Sequence, residues 1–385
     1  MYINDKYEVK DKKKNIVLSI CIPTLGGSDR LEMGLKKILS YKGEDIEVII
    51  SDNDNTGKVQ MILDQFQDSR LRYYTNECNY GNFYNWIKVL TYGRGKYLLT
   101  LNDYDWIVNE NLPEILNFLK NEDASVIISY PKRNGKITYT EGARNGYSCT
   151  GEETHPSCFM LKKEKFCLIE NVISIKDKVE SYVQCTLALI CSRNDKVCIN
   201  TKIKVIDMPN ENYFISHISR SNKEIKRTRG GFYYTPDGAL KMLKSYIQIC
   251  QDYYSVKQLN RLIPYLYKAQ LKRATVEYKR NSVNKVMNLR YGLPYKEDIN
   301  ISEERKKFYF KTKEMLKGKC KNKILFMIWW FTLLDKYKTN RELILDRIEE
   351  TIHWCLTKYR WAKIIQKCWR RIRYRRIRFD SKESR

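Results

Sequence analysis

A chain of 385 residues with 43% hydrophobic content can bury one sizeable core with an appendage, or two domains, and its formal net charge of +26 demands a polyanionic neighbour. No stretch approaches the ~20 apolar residues of a membrane span, and the opening MYINDKYEVKDKKKN lacks the apolar core of a signal peptide, so a cytoplasmic chain is expected. The 12 cysteines are scattered, some inside apolar runs such as SICIP, and none forms a CxxC pair, which excludes a disulfide framework in favour of free thiols.

After a basic tail over residues 1–14, short β-rich runs alternate with helix-patterned segments. The predicted strands are Ile16 to Pro23, Ile46 to Ser51, Leu71 to Thr75, Lys96 to Leu101, Ser125 to Ser129 and Val197 to Ile206. Between them, Phe83, Trp86, Ile87 and Leu90 fall on one helical face. This alternation predicts an α/β domain over residues 15–234, a mostly parallel sheet flanked by helices, with ligands bound beyond the carboxyl ends of the strands. From residue 235 to 385 the pattern is helical and strongly basic. Within it the eleven-residue, mostly apolar run Ile324 to Leu334 is too short to span a bilayer and suits a buried helix, an interfacial helix or a contact in a homo-oligomer.

LNDYDW, Leu101 to Trp106, follows the fourth predicted strand and puts Asp103 and Asp105 two residues apart. Two such acids can converge on one hard cation if the backbone turns between them, leaving open positions for phosphate oxygens. They could equally be turn residues capping the helix signalled by NENLPEILNFLK. Three other segments share its setting. IPTLGGSDRLEMGLKKIL closes the first strand with Pro-Thr, EVIISDNDNTG closes the second in an acid-rich turn, and NYGNFYNW opens a helix.

The order and spacing of these four pieces, over roughly Asn15 to Tyr213, resemble the inverting glycosyltransferases of family 2, which have a GT-A nucleotide-binding fold. The resemblance implies that Pro23 and Thr24 line the nucleotide, although LGG replaces the residues usual after them. It implies that Asp52 holds the nucleoside base, with Ser51 where a first acid usually stands, and that Asn79, Gly81 and Asn85 lie near the ribose and diphosphate. It makes Asp103 and Asp105 the metal motif for Mg²⁺ or Mn²⁺, with Asp105 the direct ligand. The family's base, a Glu-Asp pair, is missing as such; Asp177 and Glu180 in ISIKDKVESYVQC are the available carboxylates, Glu180 being favoured. His155, in a His-Pro-small stretch, would border the acceptor, and His217 falls where related GT-A enzymes often place a further metal ligand. The basic SRSNKEIKRTRGG supplies Arg220, Lys226, Arg227 and Arg229 beside two glycines, suited either to closing over a diphosphate or to a solvated linker.

The C-terminal segment carries a capping-box pattern, Thr339 to Glu342, and then a basic amphipathic helix in which Ile365, Trp369 and Ile372 keep helical spacing among arginines. Such a helix suits an anionic membrane surface. Nucleic acid is the competing polyanion, and against it stands the lack of a zinc-finger spacing or an RNP-like aromatic strand. The expected protein is therefore a metal-dependent inverting transferase at the inner membrane face. It would move sugar from a nucleotide sugar, UDP-linked by preference, to a glycan or lipid-linked acceptor. The competing expectation is a degenerate GT-A domain serving as an adaptor through its basic helices.

Overall fold

The computed structural model describes residues 15–132, 135–179, 182–209, 235–283, 298–318 and 322–339. In chain order the first half builds β1 (Leu18–Thr24), α1 (Leu31–Ser40), β2 (Ile46–Asp52), α2 (Lys58–Leu63), β3 (Leu71–Thr75), α3 (Asn82–Thr91), β4 (Tyr97–Thr100) and the short β5 (Trp106–Ile107). There follow α4 (Leu112–Asn121), β6 (Val126–Ser129), β7 (Ile137–Glu141), the single turn α5 (Asn145–Tyr147), β8 (Phe159–Lys162), α6 (Lys163–Cys167), α7 (Val183–Cys191), β9 (Lys196–Asn200) and β10 (Ile206–Asp207). The helical part consists of α8 (Pro236–Tyr253), α9 (Val256–Lys272), α10 (Tyr278–Ser282), α11 (Ile301–Leu316) and α12 (Asn322–Thr339).

Among the described residues the main sheet has the order β3-β2-β1-β4-β8-β6-β9-β7. β3, β2, β1 and β4 are mutually parallel, β8 runs antiparallel between β4 and β6, and β9 is parallel to β6. This mixed sheet flanked by helices is the α/β class expected from the sequence. β1 and β2 are buried along their whole length, as strands covered on both faces must be, and therefore read as continuous apolar runs. α1 covers one face through Leu31, Leu35 and Ile38, which join Ile20, Val48 and Leu99 in one core.

The run from Val197 to Ile206, expected as one strand, is two, and the cause is local. The Asn200 side-chain oxygen accepts the backbone N–H groups of Lys202 and Ile203, both at 3.1 Å, and that turn ends β9 before β10 begins. β5, β7 and β8 had no clear signal. β8 is only four residues, FMLK, and is recognised as a strand by the two non-local partners on either side of it.

In the helical part, Thr235 caps α8 by accepting from Gly238 N–H at 3.1 Å, and Ser255 with Gln258 forms a capping box at the start of α9. By packing, Met1–Trp329 form one compact unit and Trp330–Arg385 a second. Ile324 and Ile328 of α12 are buried, while Leu334 is exposed. Among the described residues no helix is long and apolar enough to cross a membrane, and the cysteines are free thiols. The basic residues beyond Thr339, where the rest of the expected capping box and the expected arginine-rich helix fall, lie outside the described residues, as do residues 1–14.

The N-terminal end of the sheet is locked by a buried carboxylate. Glu47 accepts from Ser19 Oγ at 2.6 Å, from the Arg94 backbone N–H at 2.6 Å, and from the guanidinium groups of Arg72 at 3.1 Å and Arg94 at 3.0 Å. Burial alone would raise its pKa, but these donors and the two cations outweigh it and hold the carboxyl below its usual range. A carboxyl depressed in the folded state contributes stability that is present above its unfolded pKa of about 4.3 and is lost as pH falls through the folded value. Glu47→Gln is therefore expected to lower stability by about 2–4 kcal/mol at pH 7, with the gap to wild type closing below about pH 4, read from urea unfolding at several pH values.

Candidate active site

Parallel register brings the motif residues to one edge. Thr24 is the β-partner of Asp52, so β1 and β2 end level, while Thr100 at the end of β4 is paired with Cys21, three residues lower. The three residues after Thr100 then climb to the level of Thr24, and there Thr24 Oγ1 donates to Asp103 Oδ2 at 2.5 Å. Above this edge opens a cleft of about 1030 Å³. One wall is Pro23, Thr24, Asn53, Asn79, Gly81 and Asn85; the other is Glu153 to Pro156 and Tyr182 to Gln184; Asn102, Asp103 and Tyr104 lie between.

Asn85 is buried and brackets the two strands. Its Nδ2 donates to the carbonyls of Thr24 at 3.0 Å and Ser51 at 2.8 Å, and its Oδ1 accepts from Ser51 Oγ at 2.6 Å and Asn76 Nδ2 at 3.1 Å. Asn79 Oδ1 accepts the Gly81 N–H at 2.9 Å, fixing the turn into α3, where Gly81 has φ of 89°. Asn53 links the two by donating to the Gly81 carbonyl at 3.0 Å and accepting from Asn76 at 2.8 Å. Asn53 and Asn76 gave no sequence signal beyond their position in polar turns.

Asp52 is fully buried and lies behind the cleft wall. Its Oδ1 accepts the N–H groups of Gly26 at 2.9 Å and Asp54 at 3.0 Å, and its Oδ2 accepts from Tyr73 OH at 3.3 Å. Burial raises its pKa, partly offset by the two N–H groups. Gly26 and Gly27, with φ of 73° and 75°, fold the loop back over it. This is the structural meaning of the LGG that departs from the family pattern.

Asp105 is 2% exposed. Its Oδ2 accepts from Ser157 Oγ at 2.6 Å and Asn102 Nδ2 at 2.8 Å, and His155 Nε2 lies 3.6 Å away. Its Oδ1, equally buried, has no hydrogen-bond partner, and neither has His155 Nδ1. Burial raises the pKa of Asp105 and also that of half-buried Asp103, the latter offset by the Thr24 hydroxyl and the Ser28 N–H. A buried carboxylate oxygen without a donor is costly unless a cation meets it. The pair thus fits a divalent ion held by one or two carboxylates and completed by phosphate oxygens, and among the described residues no set of three protein ligands is assembled. Ser157, two residues after His155 in THPSC, was not singled out from the sequence.

His155 lines the cleft and also faces Asp105. Asp177 is exposed, paired with Lys176, and is not among the cleft residues. Glu180, His217 and Arg229 lie outside the described residues.

Residues 19–175 match the family described as Glycosyl transferase family 2. The chain is similar to the UDP-Glc:alpha-D-GlcNAc-diphosphoundecaprenol beta-1,3-glucosyltransferase WfgD of Escherichia coli, with 25% identity over 196 residues, 46% of this chain and 76% of that one. Among solved structures it resembles residues 1–349 of TarS from S. aureus at a TM-score of 0.41 and 11% identity, covering 78% of this chain and 91% of that one. It also resembles the mannosyltransferase PcManGT from Pyrobaculum calidifontis, solved with GDP-Man and Mn²⁺, at a TM-score of 0.42 and 14% identity over 70% of this chain and 75% of that one.

Proposed function

We infer from its family 2 glycosyltransferase domain at residues 19–175 that this chain, a glycosyltransferase, moves a sugar with inversion from a UDP-sugar to a hydroxyl of a lipid-linked glycan acceptor. The observation that carries the metal-dependent form of this reading is the buried, unpartnered Oδ1 of Asp105, which lies just behind the cleft surface two residues after the cleft-lining Asp103. The UDP-glucose donor and diphosphoundecaprenol-linked acceptor in the name of the Escherichia coli relative support the substrate classes. An acceptor of that kind, with the basic segment beyond residue 339, supports a peripheral place at the inner membrane face.

Asp105, with Asp103 beside it, would hold Mg²⁺ or Mn²⁺, which when bound supplies a Lewis acid for the departing nucleoside diphosphate. The chain's own residues prepare that site. Ser157 and Asn102 occupy Oδ2 of Asp105 and so fix which oxygen is offered, while Thr24 fixes Asp103. The wall of Pro23, Thr24, Asn53 and Asn79 receives the nucleotide, and the turn at Gly81 presents the start of α3 to its phosphates. The acceptor enters from the side of His155 and Tyr182. Its hydroxyl oxygen attacks the anomeric carbon as the bond to the diphosphate breaks, and its proton passes to a carboxylate, for which Glu180 is the candidate. With Asp52 sealed beneath Gly26, its part in nucleotide binding is to hold the loop that borders the base.

A thermal-shift panel of UDP, GDP, CDP and dTDP, each with and without Mn²⁺, tests this reading. UDP with Mn²⁺ is expected to raise Tm by several degrees at a hundredfold excess over Kd, about 2.7 kcal/mol by mass action, and the shift should vanish in Asp105→Ala. No shift with any nucleotide in the folded wild type would overturn it.

A further inference from the structure

The wall opposite the nucleotide side is underpinned from outside the family 2 segment. Tyr182, which lines the cleft and immediately precedes α7, has φ of 54° and ψ of 64°, a left-handed conformation that a bulky residue adopts at a cost. Its carbonyl nevertheless accepts the first amides of the helix, Cys185 N–H at 2.9 Å and Thr186 N–H at 3.3 Å, so the direction of α7 depends on it. The guanidinium carbon of Arg273 lies 4.8 Å from the centre of the Tyr182 ring.

Arg273 is 3% exposed, and its Nε has no hydrogen-bond partner. It stands at the start of a π-helical turn, Arg273–Glu277, that continues α9; such turns interrupt the helical ladder and re-aim a side chain. The preceding Lys272 is tied to the same side of the cleft, donating to the Gly151 carbonyl at 3.1 Å while paired with Glu277 at 3.0 Å. A buried guanidinium is a weak source of stability, since an apolar side chain of similar volume packs as well. What it supplies here is a desolvated cation against an aromatic face, an interaction strong enough to hold a strained residue in place.

We propose that Arg273 is a positioning residue for acceptor binding: it pins the ring of Tyr182 and thereby sets the cleft wall that faces the acceptor, leaving the nucleotide side untouched. The acceptor assignment of that wall rests on the transfer reading above. It also gives the helical part of the chain a part in the site that the family 2 segment alone lacks.

Hydrogen exchange tests it on the full chain. In Arg273→Met the amides of Cys185 and Thr186 are expected to exchange about tenfold faster, with those of Ile20 and Val48 unchanged and UDP–Mn²⁺ affinity within about twofold of wild type. Arg273→Lys, which keeps a cation, should restore most of the protection. Tyr182→Gly adopts the backbone angles without strain and removes the ring at the cleft surface; in that background Arg273→Met should add nothing. A uniform acceleration through the core, no acceleration at α7, or an Arg273→Met effect that persists in Tyr182→Gly would each overturn the proposal. Failure of the wild type to bind UDP with Mn²⁺ would instead sink the transfer reading, and the exchange result would still decide the link between Arg273 and Tyr182.

Discussion

Asp105→Asn is expected to abolish transfer, by about a thousandfold or more, while leaving the nucleotide-free protein at least as heat-stable as wild type. The asparagine carbonyl can take over both bonds now made to Oδ2, from Ser157 and Asn102, so the local geometry survives. What disappears is a buried negative charge with one orphaned oxygen. Because burial raises the carboxyl pKa above its unfolded value, the folded state is penalised for carrying the ionised form. That penalty is full above the folded pKa and fades as pH falls through it, so the stability advantage of the asparagine variant should be greatest at neutral pH and shrink in acid. Differential scanning calorimetry across pH, paired with a transfer assay, checks both halves. A variant that retains activity would remove the metal role of Asp105, and one that is strongly destabilised would make it a structural carboxylate.

Asn85→Ala should be the most damaging single change at the nucleotide side. It deletes four buried hydrogen bonds and leaves the Ser51 hydroxyl without its acceptor, while the Thr24 carbonyl keeps the Asn53 N–H at 3.0 Å and the Asn76 amide keeps Asn53 Oδ1 at 2.8 Å. At about 0.5–1.5 kcal/mol for each bond lost, a loss of about 3–5 kcal/mol is expected in urea unfolding. Asn79, whose side chain is exposed, offers the control: Asn79→Ala should cost about 1 kcal/mol or less while still weakening UDP binding. If the two variants lose similar stability, Asn85 does not bracket the strands.

The contrast between these two asparagines shows what the sequence carries. Four short motifs in order were enough to foretell the cleft, because a parallel sheet delivers the carboxyl ends of its strands to one edge whatever lies between them. The roles within the motif were less legible. Asn85, expected near the diphosphate, is a strand bracket that also borders the cleft, and Asp52, expected to hold the base, is sealed by Gly26. Both outcomes depend on hydrogen bonds between residues 26 to 61 positions apart, which no local pattern encodes. The same holds for Ser157, which acquires its role only when β8 draws the preceding turn beneath Asp105, and for Arg273, which comes from a helix 91 residues beyond Tyr182. Hydrophobic period reported the buried strands well, but it could not report an antiparallel insertion of four residues.

That insertion has a consequence for how the protein is made. β3, β2, β1 and β4 are all present once Thr100 has been synthesised, yet β6 cannot join them until Phe159–Lys162 arrives to bridge β4 and β6. A nascent chain between these points carries a four-stranded half-sheet with β4 as an open, apolar edge, the kind of surface that recruits stray strands. Translation speed through residues 101–162 therefore sets how long that edge stays uncovered, and slowing the ribosome just before this interval should protect the protein less than slowing it just after.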